Sequence, residues 1–184
     1  MKRFFKWFGI GFLIILLIGF VAFQYMKSET KKHSPEAKVE YKENGYDIEV
    51  VYSRPFKKER KIFGGLVPYG EVWRTGANEA TTFTTGTDLV IDGQKLKAGT
   101  YTLWTIPGPK KWEIIFNEGE YGWGVNWNME ASRNPELDVV NTTAPVQRNF
   151  KVHEQFTIEI DHDPALLMLA WDYTRVDVEL NKKE

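Results

Sequence analysis

Hydrophobic and polar positions change their period twice along this chain. Residues 7–26, WFGIGFLIILLIGFVAFQYM, carry no charge, and about 20 such residues suffice for a helix to cross a ~30 Å hydrocarbon core. The run predicts one transmembrane helix, with Phe4, Phe5, Trp7 and Tyr25 placed to suit the two interfaces. It exceeds the apolar region of a secretory signal, roughly 7–15 residues, and GFVAFQYMKS holds no small-x-small cleavage site. Residues 1–26 therefore read as an uncleaved signal-anchor. Residues 27–38, KSETKKHSPEAK, have no apolar periodicity and read as a polar tether.

Beyond the tether the period becomes two. Tyr46, Ile48, Val50 and Tyr52 alternate with polar neighbours, as do Phe156, Ile158 and Ile160, and then Val176, Val178 and Leu180. Each run predicts a strand with one buried and one wet face. LLMLAW, 166–171, is apolar on both faces and predicts a central strand, with 176–180 following as the next one. Asn44-Gly45 and Asp92-Gly93 mark two hairpin turns, and AGTYTLWTIP and KWEIIFN form a strand pair across Pro107-Gly108-Pro109. No window after the anchor predicts an amphipathic helix. Residues 39–184 are thus expected to form an all-β domain, an antiparallel, jelly-roll-like β-sandwich, with a barrel as the alternative because strand count does not settle closure, preceded by the one N-terminal transmembrane helix.

Composition narrows the function classes. Hydrophobic residues at 42% can fill one core. The first 26 residues hold three of the 24 basic residues and none of the 25 acidic ones, which leaves a mildly acidic remainder. Such a body has no footprint for nucleic acid. Absence of cysteine removes disulfides, thiolate metal sites and cysteine nucleophiles. His33, His153 and His162 are scattered, and DHDP, 161–164, lacks the glycine and distal glutamate of a calcium loop, so no metal and no cofactor is expected.

Candidate chemistry gathers at one bend. YGEVWRTGANEATT, 69–82, places Glu71, Trp73, Arg74, Asn78 and Glu79 around glycines before an extended Thr-rich stretch. Arg74 either clamps a carboxylate or phosphate of a ligand or pairs with Glu71 or Glu79 as a structural hinge, with Asn78 bonding backbone and Trp73 plugging the sandwich. A second group, EYGWGVNWN at 120–128, sets Tyr121, Trp123 and Trp127 between glycines and asparagines. Those rings either stack on a ligand, or Trp123 and Trp127 close the end of the core.

Residues 52–108, from YSRPFKKERKIFGGLVPYGEVWRTGANEATT to AGTYTLWTIPG, resemble the bacterial domain of unknown function family 2911, and the likeness continues through WGVNWN to LLMLAWDYTRVDVEL. The resemblance implies an exported or envelope-associated all-β domain and brings no activity, cofactor or catalytic residue with it. Its motif includes the positions of Arg54, Lys61, Tyr69, Trp73, Arg74, Asn78 and Glu79. The expected function is that of a membrane-tethered domain, extracytoplasmic and held by residues 7–26. It would bind a glycan, a small molecule or an envelope protein through loops 54–79 and the 121–128 turn. The alternative is a small hydrolase or isomerase using Glu71 and Glu79 with Arg74.

Overall fold

The computed structural model describes residues 2–183 and divides into two compact units, Met1–His33 and Ser34–Glu184. The first is a single helix, α1, Lys2–His33. From Lys6 onward it is long and apolar enough to cross a membrane, with a most apolar window of mean hydropathy 2.3 that is nowhere buried. Residues 27–38 differ from the irregular tether expected. The helix continues through His33, and a strand begins at Glu36. Lys, Glu, Ser and Thr tolerate helix where nothing interrupts the ladder, and Glu29 pairs with Lys32 one turn on. The helix stops where Pro35 disfavours helical geometry at Ser34.

The second unit is a two-sheet antiparallel sandwich. Its six-stranded sheet runs in the order β1 (Glu36–Tyr41), β2 (Ile48–Ser53), β3 (Thr82–Thr85), β6 (Gly99–Ile106), β7 (Lys111–Asn117), β8 (Asp138–Pro145). Its four-stranded sheet is β5 (Gln94–Leu96), β4 (Leu89–Ile91), β10 (Ala165–Lys182), β9 (Gln147–Asp161). The core is what the alternation predicts: Ile48, Val50 and Tyr52 from β2, Leu103 from β6, Ile114 and Phe116 from β7, all buried in one cluster with Phe156 and Ile158. Leu167, Leu169 and Trp171 face that cluster, as do Val176, Val178 and Leu180. Met168 and Ala170 on the opposite face of β10 are buried as well, which accounts for the unbroken apolar run. Asp92-Gly93 makes a two-residue turn between β4 and β5 with both φ positive, 49° and 74°. Asn44-Gly45 has positive φ as well, but it sits in a longer connection between Tyr41 and Ile48.

The expected strands 166–171 and 176–180 are one element. At ~3.3 Å per residue an 18-residue strand would reach ~60 Å, yet both ends of β10 meet Tyr46. The Ala165 N–H donates to the Tyr46 hydroxyl at 3.2 Å, and the Lys182 ammonium lies 5.1 Å from its ring centroid. The strand therefore folds back, and its register against β9 shifts on either side of Asp172, whose φ is 55°. β8, which the sequence reading passed over, closes one side of the sandwich. Gln94 Nε2 donates to the Asn141 carbonyl at 2.7 Å and Thr142 Oγ1 to Asp92 Oδ2 at 3.0 Å. On the other side the Tyr41 hydroxyl donates to the His162 carbonyl.

Candidate functional site

The bend at 69–82 is wired to the end of the large sheet. Trp73 exchanges two backbone bonds with Thr105, 2.7 and 3.0 Å, and its indole N–H donates to the Gly76 carbonyl at 2.9 Å. Its ring packs among Phe63, Trp112, Phe156 and Trp171, with centroids 4.9–6.2 Å away. Gly76 has φ 155°, and a Cβ there would lie 2.9 Å from the Ser53 carbonyl, so only glycine fits this approach. Buried hydroxyls complete the turn: Thr81 Oγ1 donates to the Thr75 carbonyl at 2.7 Å, and Thr75 Oγ1 to Thr105 Oγ1 at 3.3 Å. Asn78 is buried with φ 56°, and its amide donates to the Ser34 carbonyl at 3.2 Å. That bond pins the first residue of the sandwich.

Arg74 points the other way, beneath the segment 118–134. Its Nη1 donates to the Trp123 carbonyl at 3.0 Å, and the Ala80 N–H donates to the Gly122 carbonyl at 3.2 Å. Gly124 lies so close that a Cβ there would meet the Arg74 side chain at 3.2 Å and Ala80 at 3.0 Å. Burial pushes the guanidinium pKa down, and the charge of the partly buried Glu79 opposes that shift. The two sequence constellations thus meet through Arg74, on the outer face of the large sheet. There Trp104 and Ile115 form a small second cluster under Tyr121.

The segment itself is held at both ends by Asn117, a residue the sequence reading saw only as the end of a strand. Its amide nitrogen donates to the Asn134 carbonyl at 2.8 Å and to Asp138 Oδ1 at 2.7 Å. Its amide oxygen accepts from Gly119 N–H at 2.8 Å and from the Tyr121 hydroxyl at 3.1 Å. The Tyr121 hydroxyl in turn accepts the Asn134 N–H at 2.8 Å. Arg133 adds an ion pair to Asp138 at 2.9 Å. Beyond these clamps the chain forms a small hairpin, with Val125 bridged to Ala131 and Asn126 organising the tip. Asn126 Oδ1 accepts from the N–H of Asn128 and of Glu130, at 2.8 and 3.1 Å, and its Nδ2 donates to Glu130 Oε2 at 2.9 Å. On that tip Trp127 is 102% exposed and Met129 70%. The alternative in which Trp127 closes the core is therefore overturned: a tip fixed by polar bonds leaves nothing apolar for the ring to reach. Trp123, one turn back, is partly buried.

The remaining candidates lie apart from this group. Arg54 ties β2 to β9, donating from Nε to the Phe156 carbonyl at 3.1 Å and from Nη2 to Thr157 Oγ1 at 3.0 Å. Lys61, Tyr69 and Glu71 are exposed on the loops that cover the sandwich end. The Tyr69 ring lies over Gly64, where a Cβ would come within 2.5 Å of it. Among the described residues no three His, Cys, Asp or Glu side chains are placed to hold a metal ion.

Comparison with curated proteins and with solved structures finds no match. A family model described as "Protein of unknown function (DUF2911)" matches residues 34–180. The match begins at the first residue of the sandwich and ends within its last strand, and the chain belongs to the DUF2911 family.

Proposed function

We propose that this protein is a membrane-tethered, extracytoplasmic β-sandwich that binds an envelope glycan through the tip of its 124–132 hairpin. The observation that carries the reading is Trp127, an indole wholly in solvent on a turn whose backbone is already held by Asn126 and Glu130. Exposing a tryptophan forgoes about 1.5–3 kcal/mol of burial, and a tip ordered in advance loses little entropy when it binds. A sugar ring presents C–H groups to the indole face and hydroxyls to its surroundings, where Asn128 and Glu130 stand ready. Arg74 acts here as a positioning residue, because its bond to Trp123 and its contact with Gly124 fix the base of the hairpin. Tyr121 serves the same end through Asn117 and Asn134. α1 supplies the tether.

The hydrolase or isomerase alternative asks Glu71, Arg74 and Glu79 to share an open cleft, whereas the Gly122–Gly124 backbone packs over Arg74. Titrating the detergent-solubilised chain with soluble peptidoglycan fragments, and following Trp fluorescence, tests the proposal. Binding is expected to change the emission in the parent and to disappear in Trp127→Ala. An unaltered titration in that variant would exclude the hairpin as the site.

A further inference from the structure

The two ends of the sandwich differ in charge and in exposed apolar surface. The chain enters at one end, where the Arg54 N–H donates to the Pro35 carbonyl at 2.8 Å and Glu36 pairs with Ser53. Strand register carries that end across the large sheet to Thr82, Ile106, Lys111 and Pro145. Val146 then bonds back to the Lys110 carbonyl at 2.8 Å, and Arg148 pairs with Thr174. Because His153 pairs with Asp172 and Arg148 with Thr174, residues 149–152 of β9 bulge outward opposite Tyr173. Phe150 on that bulge is 103% exposed, Val152 and Tyr173 on the same strand pair are exposed too, and so are Leu66 and Tyr69 on the loop that follows β2.

The charge at this end runs against that of the domain. From Ser34 onward the chain has 24 acidic and 18 basic residues. At the entering end, however, Lys61, Lys110, Lys111 and Lys151 are exposed and make no salt bridge among the described residues. Arg148 lies 5.5 Å over the Tyr173 ring. Of the carboxylates here, Glu36, Glu59, Glu71, Glu113, Glu154 and Asp172, the last faces Lys57 at 3.7 Å and Glu154 accepts the Lys58 N–H at 3.0 Å. The far end gathers Glu43, Asp47, Asp88, Asp161 and Asp163, with Lys42 3.5 Å from Asp47, Lys183 3.5 Å from Asp88 and Lys182 on the Asn44 carbonyl. A pocket of about 440 Å³ opens among Tyr69, Ile106, Pro107 and Pro109, with Lys110, Lys111 and Glu113 on its lining.

We infer that this end rests on a bilayer surface, with Phe150 and Tyr69 in the interfacial layer and the lysines on anionic headgroups. The inference depends on the anchoring role given to α1 above, since Ser34 follows that helix directly in the chain. Exposed aromatic and aliphatic residues interleaved with lysines are the combination that lies in a headgroup layer. A cationic patch is drawn to anionic lipid within a Debye length. The tether keeps the surface within reach at all times, so weak individual contacts are enough.

The chain has no cysteine, so Phe150→Cys and Lys42→Cys each create a single thiol, one at each end, for a fluorescent label. The full chain is reconstituted in lipid nanodiscs of phosphatidylcholine alone or with phosphatidylglycerol mixed in, and quenching by headgroup-nitroxide lipid is read. The expected result is several-fold stronger quenching at position 150 than at 42 in the anionic discs. It should weaken in neutral discs and after combined Lys110→Glu, Lys111→Glu and Lys151→Glu. Equal or absent quenching at both positions in disc-bound protein would overturn the lipid contact and leave anchoring intact. Strong quenching indifferent to lipid charge and to the three reversals would overturn the headgroup recognition. A chain that fails to enter the discs at all would remove the anchoring on which the inference stands. A label at 150 that is silent to lipid yet shielded in whole envelopes would assign the surface to a protein partner instead.

Discussion

Gly76, Arg74 and Leu169 are three residues whose roles differ in how far sequence reasoning reaches them. Leu169 is fully buried in the main cluster, as its place in an apolar run implies. Leu169→Ala is expected to cost about 2–5 kcal/mol in chemical denaturation through lost methyl burial and a cavity. Gly76→Ala places a Cβ 2.9 Å from the Ser53 carbonyl, and the resulting shift should cost roughly 1–3 kcal/mol in the same measurement. Nothing in the local sequence separates Gly76 from Gly70, where an added Cβ meets nothing within 4 Å. The distinction exists only once β2 passes beside the bend. Arg74 was legible as half of an alternative, clamp or hinge. The Glu79 charge that the hinge alternative invoked does act on it, but its hydrogen bond goes to a backbone carbonyl 49 positions away, and no spacing rule encodes that contact. Arg74→Ala removes a charged donor worth about 1.5–3 kcal/mol. It should also raise amide exchange across 120–132, which hydrogen-exchange mass spectrometry would read.

At the scale of elements, strands were legible where large apolar residues mark the buried face, as in β2 and the second half of β10, whereas β8 alternates in burial through Val140, Thr142 and Ala144 and its small and polar residues hid it. The bend in β10 was not, because its cause is a register mismatch with β9 rather than a glycine or proline in its own sequence. Helix α1 was legible as an apolar run, yet its extension through polar residues to His33 was not, since helix propensity there is set by the absence of a breaker before Pro35. The connection from β5 to β6 supplies a test by pH. Asp88 Oδ1 accepts the Ala98 N–H at 3.0 Å, and this bond, aided by Lys183 and Lys97, holds its carboxyl pKa below the usual range. A carboxylate whose pKa is lower folded than unfolded stabilises the fold above the unfolded value, and that contribution fades as pH falls through the folded one. Asp88→Asn should therefore melt below the parent at neutral pH and converge with it in acid. A gap that stayed constant down to the acid limb would mean that ionisation of Asp88 contributes nothing.

For the whole molecule, an all-β unit after one apolar helix was legible from periodicity and turn signals, because each unit carries its own pattern and every member of the main cluster lies between Tyr41 and Leu180, whereas sandwich against barrel was not, since strand count leaves closure open. A chain beginning at Ser34 should accordingly be soluble and melt cooperatively at the temperature of the full-length sandwich, as read by near-UV circular dichroism. The surface proposed to bind was only half legible. Aromatic rings between glycines marked the 120–128 segment, but which ring is presented and which is packed depends on Asn117, Arg74 and Asn126, whose bonds cross from element to element. The most direct measurement of the account is co-sedimentation of the detergent-solubilised chain with purified peptidoglycan sacculi, comparing the parent with Trp127→Ala. The parent should pellet with the sacculi, while the variant stays in the supernatant with stability unchanged to within about 0.5 kcal/mol. Equal sedimentation of both proteins, or none by either, would contradict a glycan site at the Trp127 tip.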